Sequence, residues 1–148
     1  DYVYGLRNKL EKQLAMVHFY AKFLWDNGVK EPDMKPVLDL IRKSQWRWDF
    51  ITASHGAAFH APIEAQRVLA DGLYYAMQAE TKMNSLNDKM KITARFTMPD
   101  ISSKAKAQAV IGLDMQKENT AKERFMQNVV PQWLQKAKEK GALYSAKS

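Results

Sequence analysis

The pattern that most constrains this chain lies between Ala65 and Met90. Ala65, Leu69, Gly72, Ala76, Ala79, Met83, Leu86 and Met90 follow one another at alternating steps of four and three. That spacing returns them to one face of an α-helix and makes a seam for a second helix. Small side chains at Ala65, Gly72, Ala76 and Ala79 let two backbones approach closely, whereas Met83, Leu86 and Met90 fill a wider gap beyond them. Pro62 suits a first helical position, where its missing N–H would be unpaired in any case. The spacing therefore predicts a helix over residues 62–90, on the order of 40 Å long at about 1.5 Å per residue. Such a seam needs a partner, either a neighbouring helix of the same chain or a second copy of it.

The rest of the chain reads in the same way. Leu6, Leu10, Leu14, Val17, Ala21 and Leu24 recur at helical spacing and predict a helix over residues 2–27, which Gly28 ends. Pro32 and Pro36 fit only an opening turn, and Val37, Leu40, Ile41, Trp48 and Ile51 carry a second helix over 33–54, with His55 and Gly56 at its end. Between Lys91 and Pro99, Ile92, Ala94, Phe96 and Met98 alternate with Thr93, Arg95 and Thr97, the pattern of a short extended segment. Ser102 or Ser103 can cap a brief helix over 103–111, and Asp114 a final one over 115–140 that Pro131 should bend near Asn128. The expected fold is all-α, with long antiparallel helices, one short extended segment and a single helical region over 1–148.

Composition narrows the chemistry. With 46% hydrophobic residues in 148, the chain can bury a core. No run reaches the roughly 20 apolar residues that cross a bilayer, and no export signal opens the chain, so the expectation is a soluble polypeptide without a membrane anchor. Its opening at Asp1 without a methionine leads us to expect a processed or excised product. The absence of cysteine excludes disulfides, thiolate metal sites and every CxxCH attachment motif, so this chain cannot itself anchor a c-type haem. The net charge of +7 is spread among acidic residues. Lys104, Lys106, Lys117, Lys122, Lys136, Lys138 and Lys140 share their segments with Asp114, Glu118, Glu123 and Glu139, a mixed solvated surface that argues against nucleic acid as a partner. A basic helical nucleic-acid module, with Trp46 and Trp48 as stacking groups, and a purely structural dimer are the alternatives to a cofactor-binding function.

Few residues can carry chemistry. No phosphate-binding glycine loop, HExxH motif or GxSxG elbow occurs. Asp49 and Glu64 are the acidic candidates, but Asp49 should pair with Arg47 or a lysine, and Glu64 is simply favourable in a first helical turn. Trp46, Trp48 and Phe50 on an amphipathic helix suggest core packing or contact with a cofactor plane. Of the three histidines, His18 reads as partly buried on the first helix and His55 as a helix-end cap. His60 differs because it stands where one helix stops and another begins, after the small residues Gly56, Ala57 and Ala58 and beside Phe59 and Pro62. That posture suits an imidazole offered sideways to a haem iron, although the residues alone leave capping and core packing open.

The stretches HFYAKFLWDNG, MKPVLDLIRKSQWRWDF, SHGAAFHAP, PDISSKAKAQAVIGLDM and VVPQWLQKAKEKG, in that order, resemble the C-terminal helical region of the pentahaem cytochrome c nitrite reductases, which reduce nitrite to ammonium with six electrons. The resemblance implies that His60 is the distal axial ligand of an electron-relay haem c attached upstream through cysteines outside this chain. It also implies a homodimer contacted by the long helices, so that the Ala65–Met90 seam would belong at least partly to a second subunit. The family's catalytic residues and calcium ligands precede this region, so none falls on a residue here. The implied partners are the remainder of the haem-bearing polypeptide and a membrane-anchored multihaem cytochrome as electron donor, and the implied location is the periplasm.

Overall fold

A computed structural model describes residues 2–141; Asp1 and residues 142–148, the two ends of the expected 1–148 region, lie outside the described residues. Two compact units divide the chain, Asp1–Pro99 and Asp100–Ser148. All regular structure among the described residues is helical.

In the first unit, α1 spans Tyr2–Asp26, α2 Glu31–Ala53, α3 the single turn Ala57–His60, and α4 Pro62–Lys89. Helix α1 buries Val3, Leu10, Leu14, Val17, Ala21 and Leu24, together with Tyr20. Gly28 ends it in the left-handed region at φ +87°, which lets Val29 N–H reach back to the Leu24 carbonyl at 3.1 Å. Helix α2 begins two residues before its expected start. Pro32 sits among its first positions, and Glu31 and Asp33 place negative charge beside the exposed N–H groups.

The seam of α4 finds its partner inside the chain. Ala65, Leu69, Gly72, Ala76, Ala79 and Met83 are buried against α1 and α2, and only Met90 at the far end is exposed. Of the two partners the seam allowed, α1 and α2 of the same chain fill it from Ala65 to Met83, which leaves Met90 for any share that a second subunit takes. Gly72 shows why small residues were needed, since a Cβ there would stand 2.7 Å from Leu10 Cδ2 and 3.3 Å from Arg47 Cβ. Ser44, the one buried polar residue of the core among the described residues, donates from Oγ to the Gly72 carbonyl at 2.8 Å and ties α2 to α4. On the other side, Gln13 donates to Glu80 at 2.6 Å and the Tyr20 hydroxyl to Asn84 at 3.0 Å, so α1 and α4 run side by side in the same direction. Burial pushes the Tyr20 phenol pKa up, with the carboxylates of Asp88 and Glu80 adding to the effect.

The segment expected to be extended forms no strand, because among the described residues no second strand lies beside it to take its backbone bonds. Its alternation is only half used: Ile92 and Phe96 pack on the core, while Ala94 and Met98 remain exposed. Phe96 stacks on Tyr20 with ring centroids 4.8 Å apart and pins the segment to α1.

In the second unit, α5 spans Lys104–Val110, α6 Met115–Asn128 and α7 Val130–Glu139. Ser103 caps α5, and Asp114 caps α6 by accepting from the N–H groups of Gln116 and Lys117 at 3.0 and 3.1 Å. The single bent helix expected over 115–140 is two helices. Pro131 lacks the N–H that would carry the ladder across Val129, and it is instead accommodated in the first turn of α7. Phe125 and Trp133 meet edge to face across the break at 5.3 Å.

Candidate functional site

The turn that carries His60 is built by Gly56. At φ +87° this residue takes a conformation that a side chain would strain, and its carbonyl accepts from both Phe59 N–H at 2.9 Å and His60 N–H at 2.8 Å. The chain leaves α2 at Ser54, whose Oγ bonds the Phe50 carbonyl at 2.6 Å, turns once through α3, and re-enters a helix at Pro62. His60 thus closes a four-residue helical turn, whereas its sequence neighbours suggested the gap itself. The reason is that Gly56 restarts the helix before Ala61 breaks it again.

The imidazole is exposed and lies over Gly56, with its Cδ2 3.0 Å and its Nε2 3.5 Å from where a Cβ on residue 56 would stand. Neither ring nitrogen has a hydrogen-bond partner among the described residues. Phe59 meets the ring edge-on at 5.1 Å. Phe59, in that contact, stands out into solvent at 84% exposure, and Ile63, three residues further along the chain, at 83%. An unengaged imidazole, a glycine that leaves it space and an apolar margin fit one axial contact to the iron of a flat, mostly apolar macrocycle. They fit no covalent attachment, because the chain has no cysteine.

The other candidates separate. His18 is exposed on α1 and makes no hydrogen bond among the described residues, so the partly buried, bonded histidine expected there is corrected. It borders a shallow hollow with Trp46 and Asp49. His55 does not cap α2, because Ser54 already takes that carbonyl. The His55 side chain instead lines a cavity of about 370 Å³ between the start of α1 and the α2–α3 turn. Asp49 accepts from Gln45 at 2.9 Å in place of a basic partner. Glu64 is held by Arg67 at 2.6 Å, whose hydrogen bond lowers its pKa. The aromatic trio divides by helical phase: Trp48 packs on the core, whereas Trp46 and Phe50, four residues apart, stack outside at 5.3 Å.

Sequence reasoning missed Arg7. It projects into the same cavity as His55 with its guanidinium over the Tyr4 ring at 5.0 Å, and its Nε is buried without a hydrogen-bond partner. A lone arginine on a helix with other basic residues carries no signal of its own in the sequence. Among the described residues no three His, Asp or Glu side chains gather to hold a metal ion, and no helix is long and apolar enough to cross a membrane.

Comparison with known proteins identifies the wider setting. The cytochrome c552 family matches residues 1–143. A cytochrome c-552 of Bacteroides thetaiotaomicron is 55% identical over 138 residues, covering 93% of this chain and 28% of that protein. The cytochrome c-552 of Parabacteroides distasonis is 54% identical over the same shares, and that of Porphyromonas gingivalis 49% identical over 96% of this chain and 28% of its own length. This chain therefore spans about 28% of the curated relatives it matches. These matches correct the family expected from the sequence: the assignment to a C-terminal region of pentahaem nitrite reductase, and with it the six-electron reduction of nitrite, is replaced by the family whose name is carried across the chain. A cytochrome c family implies haem c as cofactor and electron transport as the class of function. The chain belongs to the cytochrome c552 family.

Proposed function

We propose that this chain is the helical part of a longer c-type cytochrome and that His60 supplies an axial ligand to an electron-relay haem attached outside it. The observation that carries the reading is the unengaged, exposed imidazole over Gly56, in edge-on contact with the protruding Phe59. When bound, the haem supplies one-electron chemistry between the ferric and ferrous states of its iron. The residues of this chain do the rest. His60 would donate a nitrogen lone pair, Gly56 leaves the ring room to turn, and Phe59 would help to keep water from the bond. Burial of such a margin raises ligand strength by lowering the local dielectric, and the three-helix core fixes the backbone from which the ligand projects.

For the complete protein we propose an oxidoreductase bearing more than one haem, with its substrate converted at a haem held outside this chain. We further propose a periplasmic homodimer that receives electrons from a membrane-anchored multihaem cytochrome. The exposed Tyr74 and Met77 on the outer side of α4 support subunit contact on a face that α1 and α2 leave open. Sedimentation of the complete protein tests the dimer. A Tyr74→Glu, Met77→Glu double variant should halve its mass, and an unchanged mass removes this face from the contact.

A further inference from the structure

The cavity beside α3 has the composition of an anion site. Among the described residues its wall includes Tyr4, Arg7, Thr52, Ser54, His55 and Phe59 and no aspartate or glutamate, with a guanidinium and the Tyr4 and Thr52 hydroxyls as donors, the Ser54 hydroxyl being taken by the Phe50 carbonyl. Arg7 forms no ion pair among the described residues, and the burial of its Nε without an acceptor leaves a donor that a native protein ordinarily satisfies. A guanidinium is a rigid fork matched to a carboxylate, and tyrosine stacking already holds this one in place.

The cavity and the candidate ligand are two sides of one turn. Phe59 lines the cavity and also touches the His60 ring, while Gly56 belongs to the cavity wall and underlies the imidazole. A haem bound through His60 carries two carboxylates on its rim, and those are the anions that the ligand itself would bring beside this turn. We propose that the Arg7 cavity receives a propionate carboxylate of the haem ligated by His60, with Arg7 as its ion-pair partner. The proposal rests on the ligation reading above and assigns a second anchor to this chain. Arg7 acts as a positioning residue: it orients the macrocycle and, by neutralising the propionate, favours the reduced iron.

The test uses the complete haem-bearing protein. The relevant haem is first identified as the one whose low-spin electron paramagnetic resonance signal disappears in His60→Ala. Arg7→Gln should leave that signal in place, shift the haem towards the ferric state by about tenfold, about 59 mV for one electron, and move its propionate bending band in the resonance Raman spectrum. Arg7→Lys should keep most of the potential and still move the band, because an ammonium cannot reproduce the fork. If the glutamine variant does not accumulate folded, the band in Arg7→Lys decides. An unchanged band overturns the anchor, whether the guanidinium then answers to a protein carboxylate elsewhere in the polypeptide or to a soluble anion. A low-spin signal that survives His60→Ala overturns the ligation reading and this proposal with it, whereas a lost signal with an unmoved band overturns the anchor alone.

Discussion

At the scale of single residues, one glycine and one carboxylate carry most of the local information. Gly56 combines a positive φ with an imbalance of space that only an absent side chain resolves. Gly56→Ala should cost about 1–2 kcal/mol from backbone strain alone and displace the His60 ring, which thermal melting and the spectrum of the complete protein would show together. Asp100 accepts from Lys106 Nζ, from the Ser102 hydroxyl and from the Ser102 backbone N–H, and these bonds, led by Lys106, hold its pKa at about 2. A carboxylate with a depressed folded pKa stabilises while ionised, so its contribution is complete above its ordinary value of 3.8 and is lost as the pH falls through about 2. Carbon-detected nuclear magnetic resonance should find the Asp100 carboxyl titrating near that lower value, and Lys106→Met should return it towards the ordinary range. The position of His60 was legible in the sequence because a histidine between Gly56 and Pro62 is visible as a break in two helical patterns, and its role as a ligand is the proposal. Arg7 was not, because what distinguishes it is the absence of an acceptor in three dimensions.

At the scale of elements, the long α4 helix is the frame on which the first unit is built. Its four-and-three seam announced a close helical partner from the sequence, but nothing in that spacing could say whose helix it was. The answer lies in Leu10 and Arg47, residues of α1 and α2 that a Cβ on residue 72 would meet at 2.7 and 3.3 Å, and in Ser44, whose hydroxyl bonds the Gly72 carbonyl. Gly72→Ala should therefore destabilise the unit by about 1–3 kcal/mol through overpacking. Ser44→Ala should cost about 1 kcal/mol for the lost hydrogen bond. Chemical denaturation of each variant would measure both, and a neutral Gly72→Ala would contradict the close approach of α4 to α1. The extended segment and the unbroken last helix were misread for a shared reason. Alternation over 92–98 is a strand signal only if a neighbouring strand exists, and a proline bends a helix only if the backbone does not use it to begin a new one.

At the scale of the whole molecule, the all-α character followed from periodicity, and the haem c cofactor from the family to which the chain belongs. The name expected from the sequence did not stand, because short stretches of similar order mark descent without stating which family description applies. The chain spans about 28% of its relatives' length, and the His60 imidazole stands exposed at its surface. On that ring the proposed ligation rests. The most direct measurement is the low-temperature electron paramagnetic resonance spectrum of the complete, haem-bearing protein with His60 replaced by alanine. Loss of one low-spin signal with gain of a high-spin one is the predicted result, and a spectrum identical to that of the unaltered protein would contradict it.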